Sequence, residues 1–145
     1  MTDPGCIFCG IAAGTAPAHR IAEDDRVVAF LDLFPAAEGH TLIIPRVHAE
    51  NLYEAGEEDL AAVAVWSRRI AHAIRRALAP DGLGVFQLNG SAAGQTVFHY
   101  HMHLIPRRAG TPLALHGRRR GEEAELASVA ERIRKVLARE TPASA

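Results

Sequence analysis

Three histidines alternate with apolar residues in the stretch His99-Tyr100-His101-Met102-His103-Leu104-Ile105, the most informative segment of the chain. Side chains two positions apart in a β-strand share one face of the sheet. We therefore predict a strand over 97–105 whose histidines point one way and whose Phe98, Tyr100, Met102 and Leu104 point into a core. A polar face that merely meets water is the alternative, but such a face usually carries Lys, Thr or Glu.

Alternate histidines can serve a metal ion or a phosphate group. Cα atoms four residues apart on a strand are separated by about 13 Å, whereas zinc holds each nitrogen at about 2.0–2.1 Å. One ion can therefore take an adjacent pair or a single terminal histidine, but not all three. Phosphate chemistry suits the pattern, because neutral imidazole is a nucleophile and protonated imidazole is a hydrogen-bond donor. Just upstream, Gly94-Gln95-Thr96 offers backbone N–H groups and polar side chains to the same anion.

The rest of the chain predicts short strands interrupted by one long helix. The other strands are expected over 21–23, 26–31, 41–44 and 83–88. Asp24-Asp25 has the composition of a turn between the first two. Apolar residues recur at the helical period over 57–78, and Pro80 follows. The small-residue stretch 11–17 is expected to contain a short helical turn that ends at Gly14. A C-terminal helix is expected to carry the apolar residues of 126–137. This order favours an α+β fold with an antiparallel sheet.

Length and composition indicate one globular domain. Of the 145 residues, 48% are hydrophobic and 23% are charged, which excludes disordered, collagen-like and disulfide-scaffold chains. We expect a single domain over 1–140 and a frayed tail over 141–145. Sixteen Lys and Arg against seventeen Asp and Glu leave a net charge of −1, so no global field favours nucleic acid as a partner. Without a secretion signal or an uninterrupted apolar helix, we expect a cytoplasmic protein that does not cross a membrane.

The two cysteines, Cys6 and Cys9, form a single Cys-x-x-Cys motif. This motif can be redox-active, or it can supply two ligands to a zinc ion. No strand is predicted before Cys6, unlike the βαβ setting of thioredoxin-like motifs, and this disfavours the redox alternative. A structural zinc needs four ligands, so two would have to come from elsewhere in the chain.

These motifs resemble the histidine triad (HIT) family of nucleotide hydrolases and transferases, whose motif is His-φ-His-φ-His-φ-φ with φ apolar. The stretch from His99 to Ile105 matches this motif at every position. The similarity extends over 93–98 before the motif and 106–107 after it, and it includes 39–48 and the opening 6–9. Matching segments thus occur in family order between residues 6 and 107, and the resemblance implies a HIT-like fold.

The resemblance also implies roles for the matching residues. His101 corresponds to the nucleophile, which attacks the α-phosphorus of a nucleotide and forms a nucleotidyl-histidine that water then hydrolyses. His103 corresponds to the histidine that neutralises a phosphate oxygen. The other correspondences are Gln95 and Thr96 for the phosphate or leaving group, Asn89 for ordering the phosphate loop, Asp32 for both ribose hydroxyls, and Phe8, Phe30 and Leu33 for the base pocket.

Some bacterial HIT proteins hold zinc with two cysteines and two histidines. The resemblance therefore implies a structural zinc at Cys6, Cys9, His48 and His99. His99 belongs to the catalytic stretch as well, and in this interpretation it serves structure while His101 and His103 perform the chemistry. No catalytic metal ion is implied.

The implied activity is cleavage of nucleoside phosphoramidates or dinucleoside polyphosphates at the α-phosphate, with release of a nucleoside monophosphate. A purine nucleotide or dinucleotide substrate and a homodimer are part of the same expectation. Two alternatives stay open. One is a nucleotidyltransferase or phosphorylase that uses the same intermediate with phosphate in place of water, and the other is a nucleotide-binding regulatory protein.

Several residues remain without an assigned role. His40 is expected either to support the catalytic histidines or to cap a strand. Arg118–Arg120 is interpreted as a solvated turn, since no basic face accompanies it. Trp66 lies off the apolar stripe of its helix, so it contacts a partner subunit or packs loosely against the core. The histidines without companions that suggest a function are His19, His72 and His116.

Overall fold

The computed structural model describes residues 2–140, and within them it has three α-helices and one five-stranded sheet. The strands are β1 (Arg20–Glu23), β2 (Val27–Leu31), β3 (Thr41–Pro45), β4 (Gly82–Phe86) and β5 (Met102–Arg107), and the helices are α1 (Ile7–Ala13), α2 (Glu57–Leu78) and α3 (Glu123–Glu140). All neighbouring strands are antiparallel, in the order β1-β2-β3-β5-β4. The predicted α+β fold is therefore confirmed. The tail predicted over 141–145 lies outside the described residues.

Strand β2 is buried along its whole length because both faces of the sheet are covered. Val27, Ala29 and Leu31 join the larger core, which the sheet forms with α2 and α3. Val28 and Phe30 point the other way, into a smaller core that includes residues of α1. Alternation along one strand thus separates a structural face from the face on which the site is built.

Helix α2 forms because its apolar residues follow the helical period and its ends carry suitable signals. Val63, Ile70 and Ile74 are fully buried, and burial of each such side chain contributes about 1.5–3 kcal/mol. Acidic residues occupy its first turn, and Ala79 ends it in the left-handed conformation with φ of 46°. The predicted bounds, 57–78, are confirmed. Across residues 2–140, no helix is long and apolar enough to span a membrane.

The β1–β2 turn depends on Asp24, as its composition predicts. One carboxylate oxygen accepts the backbone N–H groups of Arg26 and Val27, both at 2.8 Å. The other accepts the indole N–H of Trp66 at 2.7 Å. Trp66 also packs partly against the larger core, so within this chain it links α2 to the turn.

Helix α1 begins at Ile7, and the predicted start near Ile11 is wrong. The Sγ atom of Cys6 accepts the N–H of Cys9 at 3.4 Å and so caps the helix, a role that the usual capping residues do not signal. The predicted end at Gly14 is confirmed, because this glycine has a φ of 82° and its N–H bonds back to the last turn.

Strand β5 begins at Met102, and the predicted start at Val97 is wrong. The N–H of Tyr100 donates to the carbonyl of Ala49 at 2.7 Å, rather than to a neighbouring strand of the sheet. Tyr100 still reaches the larger core, whereas Phe98 is 42% exposed. Two of the three alternate histidines therefore lie in the irregular segment that leads into the strand.

Candidate active site

A cavity of about 400 Å³ opens on the face of the sheet that carries α1. Part of its wall is apolar and includes Phe8, Ile11, Phe30, Leu33 and Leu42. Its polar side chains are Asp32, Thr96, His101, His103 and His116. The cavity thus combines a surface that suits a nucleobase with groups that suit hydroxyls and phosphate.

His101 faces this cavity with a tautomer set by the backbone. Its Nδ1 lies 2.6 Å from the carbonyl oxygen of His99. Because a carbonyl only accepts, Nδ1 carries the proton and Nε2 keeps its lone pair. Burial lowers the pKa of His101 more strongly than this hydrogen bond raises it. The ring is therefore neutral near pH 7 and Nε2 can act as a nucleophile.

A chain of hydrogen bonds orients His103. The N–H of Ala36 donates to His40 Nδ1 at 3.0 Å, so His40 Nε2 carries a proton and donates to His103 Nδ1 at 2.9 Å. The proton of neutral His103 is then on Nε2, which is buried and has no hydrogen-bond partner among the described residues. The structure thus leaves one N–H donor at the cavity without a partner. Of the two roles weighed for His40, this geometry favours support of the catalytic stretch.

Burial and nearby positive charges hold the supporting histidines neutral. Burial lowers the pKa of His40 to about 3, and repulsion by a positive charge on His116, Arg107 or His101 acts in the same direction. Burial likewise lowers the pKa of His103 to about 3. Neither ring takes up a proton near pH 7, so the order of donors along the chain is preserved.

Asp32 lies at the cavity with one carboxylate oxygen occupied. Its Oδ1 accepts the N–H of Phe34 at 2.9 Å, and its Oδ2 lies 3.6 Å from His40 Nε2. Burial raises the pKa of Asp32, against the hydrogen bond from Phe34. The carboxylate keeps lone pairs that can accept hydroxyl protons.

The loop over 89–96 is braced from within. The Gln95 amide accepts the N–H of Gly90 at 2.7 Å and donates to the carbonyls of Glu50 and Val97. Gln95 is buried and does not line the cavity, whereas its neighbour Thr96 does. The Gln95 amide thus bonds three backbone groups, and its predicted contact with phosphate stays a prediction.

Asn89 lies at the base of the same loop. Its Oδ1 accepts the N–H of Leu52 at 2.8 Å, and its amide pairs with that of Gln87. It does not line the cavity. This position suits the ordering of the loop rather than direct contact with a ligand.

The four residues predicted to hold zinc form a cluster beside the cavity. Their ligand atoms all lie within 4.8 Å of one another; the residues are Cys6, Cys9, His48 and His99. Cys6 Sγ lies 3.3 Å from His99 Nδ1, and Cys9 Sγ lies 3.4 Å from His48 Nδ1. The two Nδ1 atoms are 3.3 Å apart. Ligand atoms of a tetrahedral zinc site are separated by about 3.3–3.8 Å, so the donor set fits this ion.

The tautomer of His99 agrees with this fit. Its Nε2 lies 2.8 Å from the carbonyl oxygen of Pro45, so Nε2 carries the proton and Nδ1 directs a lone pair at the cluster. Burial lowers the pKa of His99 to about 4, which keeps the ring in the form that binds metal. The side chain of His99 therefore faces the cluster while its carbonyl orients His101.

Two aromatic residues of the site were not assigned from the sequence. Phe86 stacks on His103 with centroids 4.5 Å apart, and the β4–β5 register places the two residues opposite each other. His116 packs edge-on to His103 at 5.9 Å, so the expectation that it lacks companions is wrong. A strand pairing could have indicated Phe86. No local pattern indicates His116, because the segment around it is irregular.

Comparison with known proteins supports the resemblance. The HIT domain family matches residues 13–110. Protein hit of Bacillus subtilis is 49% identical over 102 residues, which cover 70% of each chain. The crystal structure of a Zn-bound histidine triad family protein from Mycobacterium smegmatis has a TM-score of 0.84 and 40% identity, and the match covers 93% of this chain and 94% of that one. Adenylylsulfatase HINT3 of Arabidopsis thaliana is 40% identical over 103 residues, 71% of this chain and 52% of that protein. The chain therefore belongs to the HIT domain family.

Proposed function

We propose that this protein is a nucleotide hydrolase that works through a covalent nucleotidyl intermediate on His101. The observation that carries the proposal is the tautomer of that residue. The proton on Nδ1 is held by the His99 carbonyl at 2.6 Å, which leaves the Nε2 lone pair for the cavity. A neutral, oriented imidazole beside a cavity with a carboxylate and an unpaired N–H suits attack on phosphorus.

The reaction has two displacements. In the first, His101 Nε2 forms a bond to the α-phosphorus while the bond to the leaving group breaks with its electron pair. The His103 Nε2–H, which has no other partner, donates to a non-bridging phosphate oxygen. In the second, water forms a bond to the same phosphorus, the Nε2–P bond breaks with its electron pair returning to Nε2 of His101, a proton is released and a nucleoside monophosphate leaves.

The substrate class follows from the two ends of the cavity. Phe8, Phe30 and Leu33 offer an apolar surface to a purine, and Asp32 accepts the ribose hydroxyls. Nucleoside phosphoramidates and dinucleoside polyphosphates both present an α-phosphate to His101. One relative is named an adenylylsulfatase, so adenylyl sulfate belongs with them in the substrate panel.

The proposal includes a structural zinc ion held by Cys6, Cys9, His48 and His99. Bound there, the ion would join α1 to the segment that leads into β5. A structural neighbour is described as Zn-bound. We also propose that the protein forms a homodimer, as the family resemblance implies, and that it is cytoplasmic, as its composition suggests.

A substrate panel with a nucleophile variant tests the function. Purified protein is given adenosine phosphoramidate, diadenosine polyphosphates and adenylyl sulfate, and AMP release is followed by chromatography. We expect His101→Ala to lower turnover at least about 10³-fold, and a quenched wild-type reaction to carry an acid-labile AMP adduct on His101. Turnover by His101→Ala at the wild-type rate would refute the mechanism. Formation of ADP in the presence of phosphate would identify a phosphorylase instead.

A further inference from the structure

The segment over residues 110–121, which we call the strap, lies between β5 and α3, and its residues His116 and Gly117 line the cavity. It has no regular secondary structure, yet three backbone groups fasten it. The N–H of Gly117 donates to the carbonyl of Phe34 at 3.1 Å, and that of Gly121 donates to Leu33 at 2.8 Å. Arg107 donates to the carbonyl of Ala114 at 2.5 Å. The strap is therefore held against the loop that carries Asp32.

Close packing at Gly117 determines where the strap lies. A Cβ atom at this position would lie 2.2 Å from the carbonyl oxygen of Pro35 and 2.5 Å from that of Phe34. Only glycine allows the two backbones to approach this closely. The preceding residue, His116, is thereby placed at the rim of the cavity, which it lines together with Gly117.

Four aromatic rings follow one another along the cavity, with Phe8 at one end of the series and His116 at the other. Phe8 lies 5.1 Å from His101, His101 lies 4.9 Å from His103, and His103 lies 5.9 Å from His116, all between ring centroids. A nucleoside at the Phe8 end, with its phosphorus at His101, directs its leaving group towards His116. The Nε2 atom of His116 also lies 4.0 Å from the point that a Cβ on Gly94 would occupy. His116 thus faces the loop on the leaving-group side.

Two arginines of the strap directly follow the residues that line the rim of the cavity. Arg118 and Arg119 follow Gly117, are exposed, and form no ion pair with any residue of 2–140. The charge of His116 is the largest cause after burial that lowers the pKa of His40. The same charge acts against the burial that raises the pKa of Asp32. The two arginines thus add positive charge next to the residues that line the rim, which favours an anion at this end of the cavity.

We propose that His116 binds the leaving group and makes this enzyme selective for substrates whose leaving group is an anion, such as pyrophosphate, sulfate or a nucleoside phosphate. This inference rests on the proposed function and assigns its substrate class. As the Nε2–P bond forms on His101, the P–O bond breaks and its electron pair stays on the leaving oxygen. Such an anion needs no added proton, but the charge that develops on it is stabilised by the His116 N–H.

Binding of AMP and ADP tests this assignment without turnover. AMP carries the base, ribose and α-phosphate, whereas ADP adds a phosphate in the position of the leaving group. We expect wild-type protein to bind ADP more tightly than AMP, and His116→Ala to reduce that preference about three- to tenfold with little change in AMP affinity. His116→Arg, which supplies N–H donors at the same position, should restore the preference. His72→Ala, an imidazole removed from α2 away from the cavity, is the matched control and should leave it unchanged.

Kinetics provide the second readout. His116→Ala should lower kcat/KM for adenylyl sulfate and diadenosine polyphosphates but not for adenosine phosphoramidate, whose leaving group is an amine. Equal losses for all substrates, an equal loss of AMP and ADP affinity, or an unchanged preference for ADP would each overturn the inference while the hydrolase stands. Wild-type protein that binds neither nucleotide would instead refute the proposed function, and the role of His116 with it.

Discussion

His40 and His103 share a hydrogen bond of 2.9 Å between Nε2 of the first and Nδ1 of the second. Both rings are almost completely buried. Because His103 Nδ1 accepts this bond, its proton is on Nε2, which has no hydrogen-bond partner within residues 2–140 and can donate to a group in the cavity. This neutral buried pair therefore supplies an N–H donor at the cavity and makes the free energy of unfolding depend on pH.

The stability of the protein should fall between pH 6.5 and pH 5. Unfolded histidine takes up a proton near pH 6.5, whereas native His40 and His103 do so only near pH 3. Over this interval the unfolded state binds more protons, so lowering the pH destabilises the native state by about 1 to 2 kcal/mol for each of the two residues. Urea unfolding at pH 7.5, 6.5, 5.5 and 5.0 measures the effect.

Two variants make this pH dependence specific. His40→Asn removes one buried imidazole and should flatten the slope. Thr41→Val disturbs the neighbouring buried position without removing a titratable group, so it should lower the free energy of unfolding equally at every pH. The groups that face the pair, and that stay in both variants, are Asp32, His101, Arg107 and His116. A slope in His40→Asn as steep as in wild type would contradict the assignment.

Zinc should copurify with the protein at one ion per chain. Cys9→Ser replaces a buried thiol that contacts both Nδ1 atoms of the cluster, so it should abolish zinc binding and lower Tm by about 5 to 10 °C. Elemental mass spectrometry gives the zinc content and calorimetry gives Tm. A chelator should lower Tm of the wild type and leave the variant unaffected. Zinc-free wild type with an undiminished Tm would rule the ion out.

Asp32→Asn should weaken AMP binding about tenfold, because an amide accepts less strongly and also presents a donor to the ribose hydroxyls. The ligand offers its own control. AMP that lacks both ribose hydroxyls should bind wild type and Asp32→Asn with similar affinity, as measured by calorimetric titration. If the variant weakens both ligands equally, the carboxylate acts on something other than the ribose.

Gly117→Ala should cost about 1 to 3 kcal/mol of unfolding free energy, since the added methyl group meets two carbonyl oxygens that belong to backbone and cannot rotate away. Gly82→Ala is the matched control, because a Cβ there meets nothing closer than 4.0 Å. Urea unfolding compares the two. Equal stability of both variants would show that the strap shifts without cost and does not hold His116 in place.

Local patterns predicted the elements of the fold well where local physics determines them. Helix α2 has its predicted bounds because its periodicity, acidic first turn and following proline all act within the segment. The turn at Asp24 forms as its composition indicates. The start of β5 was misplaced because Tyr100 bonds Ala49, which is fifty-one positions earlier, and alternation cannot reveal which backbone accepts such a bond.

The site was predictable to the extent that its residues match family motifs. His101, His103 and Asp32 lie together at one cavity, and the four zinc ligands, His99 among them, gather although they come from segments up to 93 positions apart. His116 was missed because its place depends on the collision that only Gly117 avoids. That constraint involves the backbone of Phe34 and Pro35, 83 and 82 positions before Gly117, and the sequence around His116 does not indicate which backbone packs there.

The two ends of residue 99 point in different directions, with the ring anchored among the thiols and the backbone oxygen holding the nucleophile at 2.6 Å. A substitution at this position removes the ring from the cluster and should also shift the carbonyl that orients His101. Loss of turnover in a His99 variant should therefore reflect misplacement of the His101 ring rather than the loss of a group that transfers protons. Cys9→Ser removes a contact of the His99 ring and leaves residue 99 unchanged, so its turnover shows how much of that loss comes from misplacement.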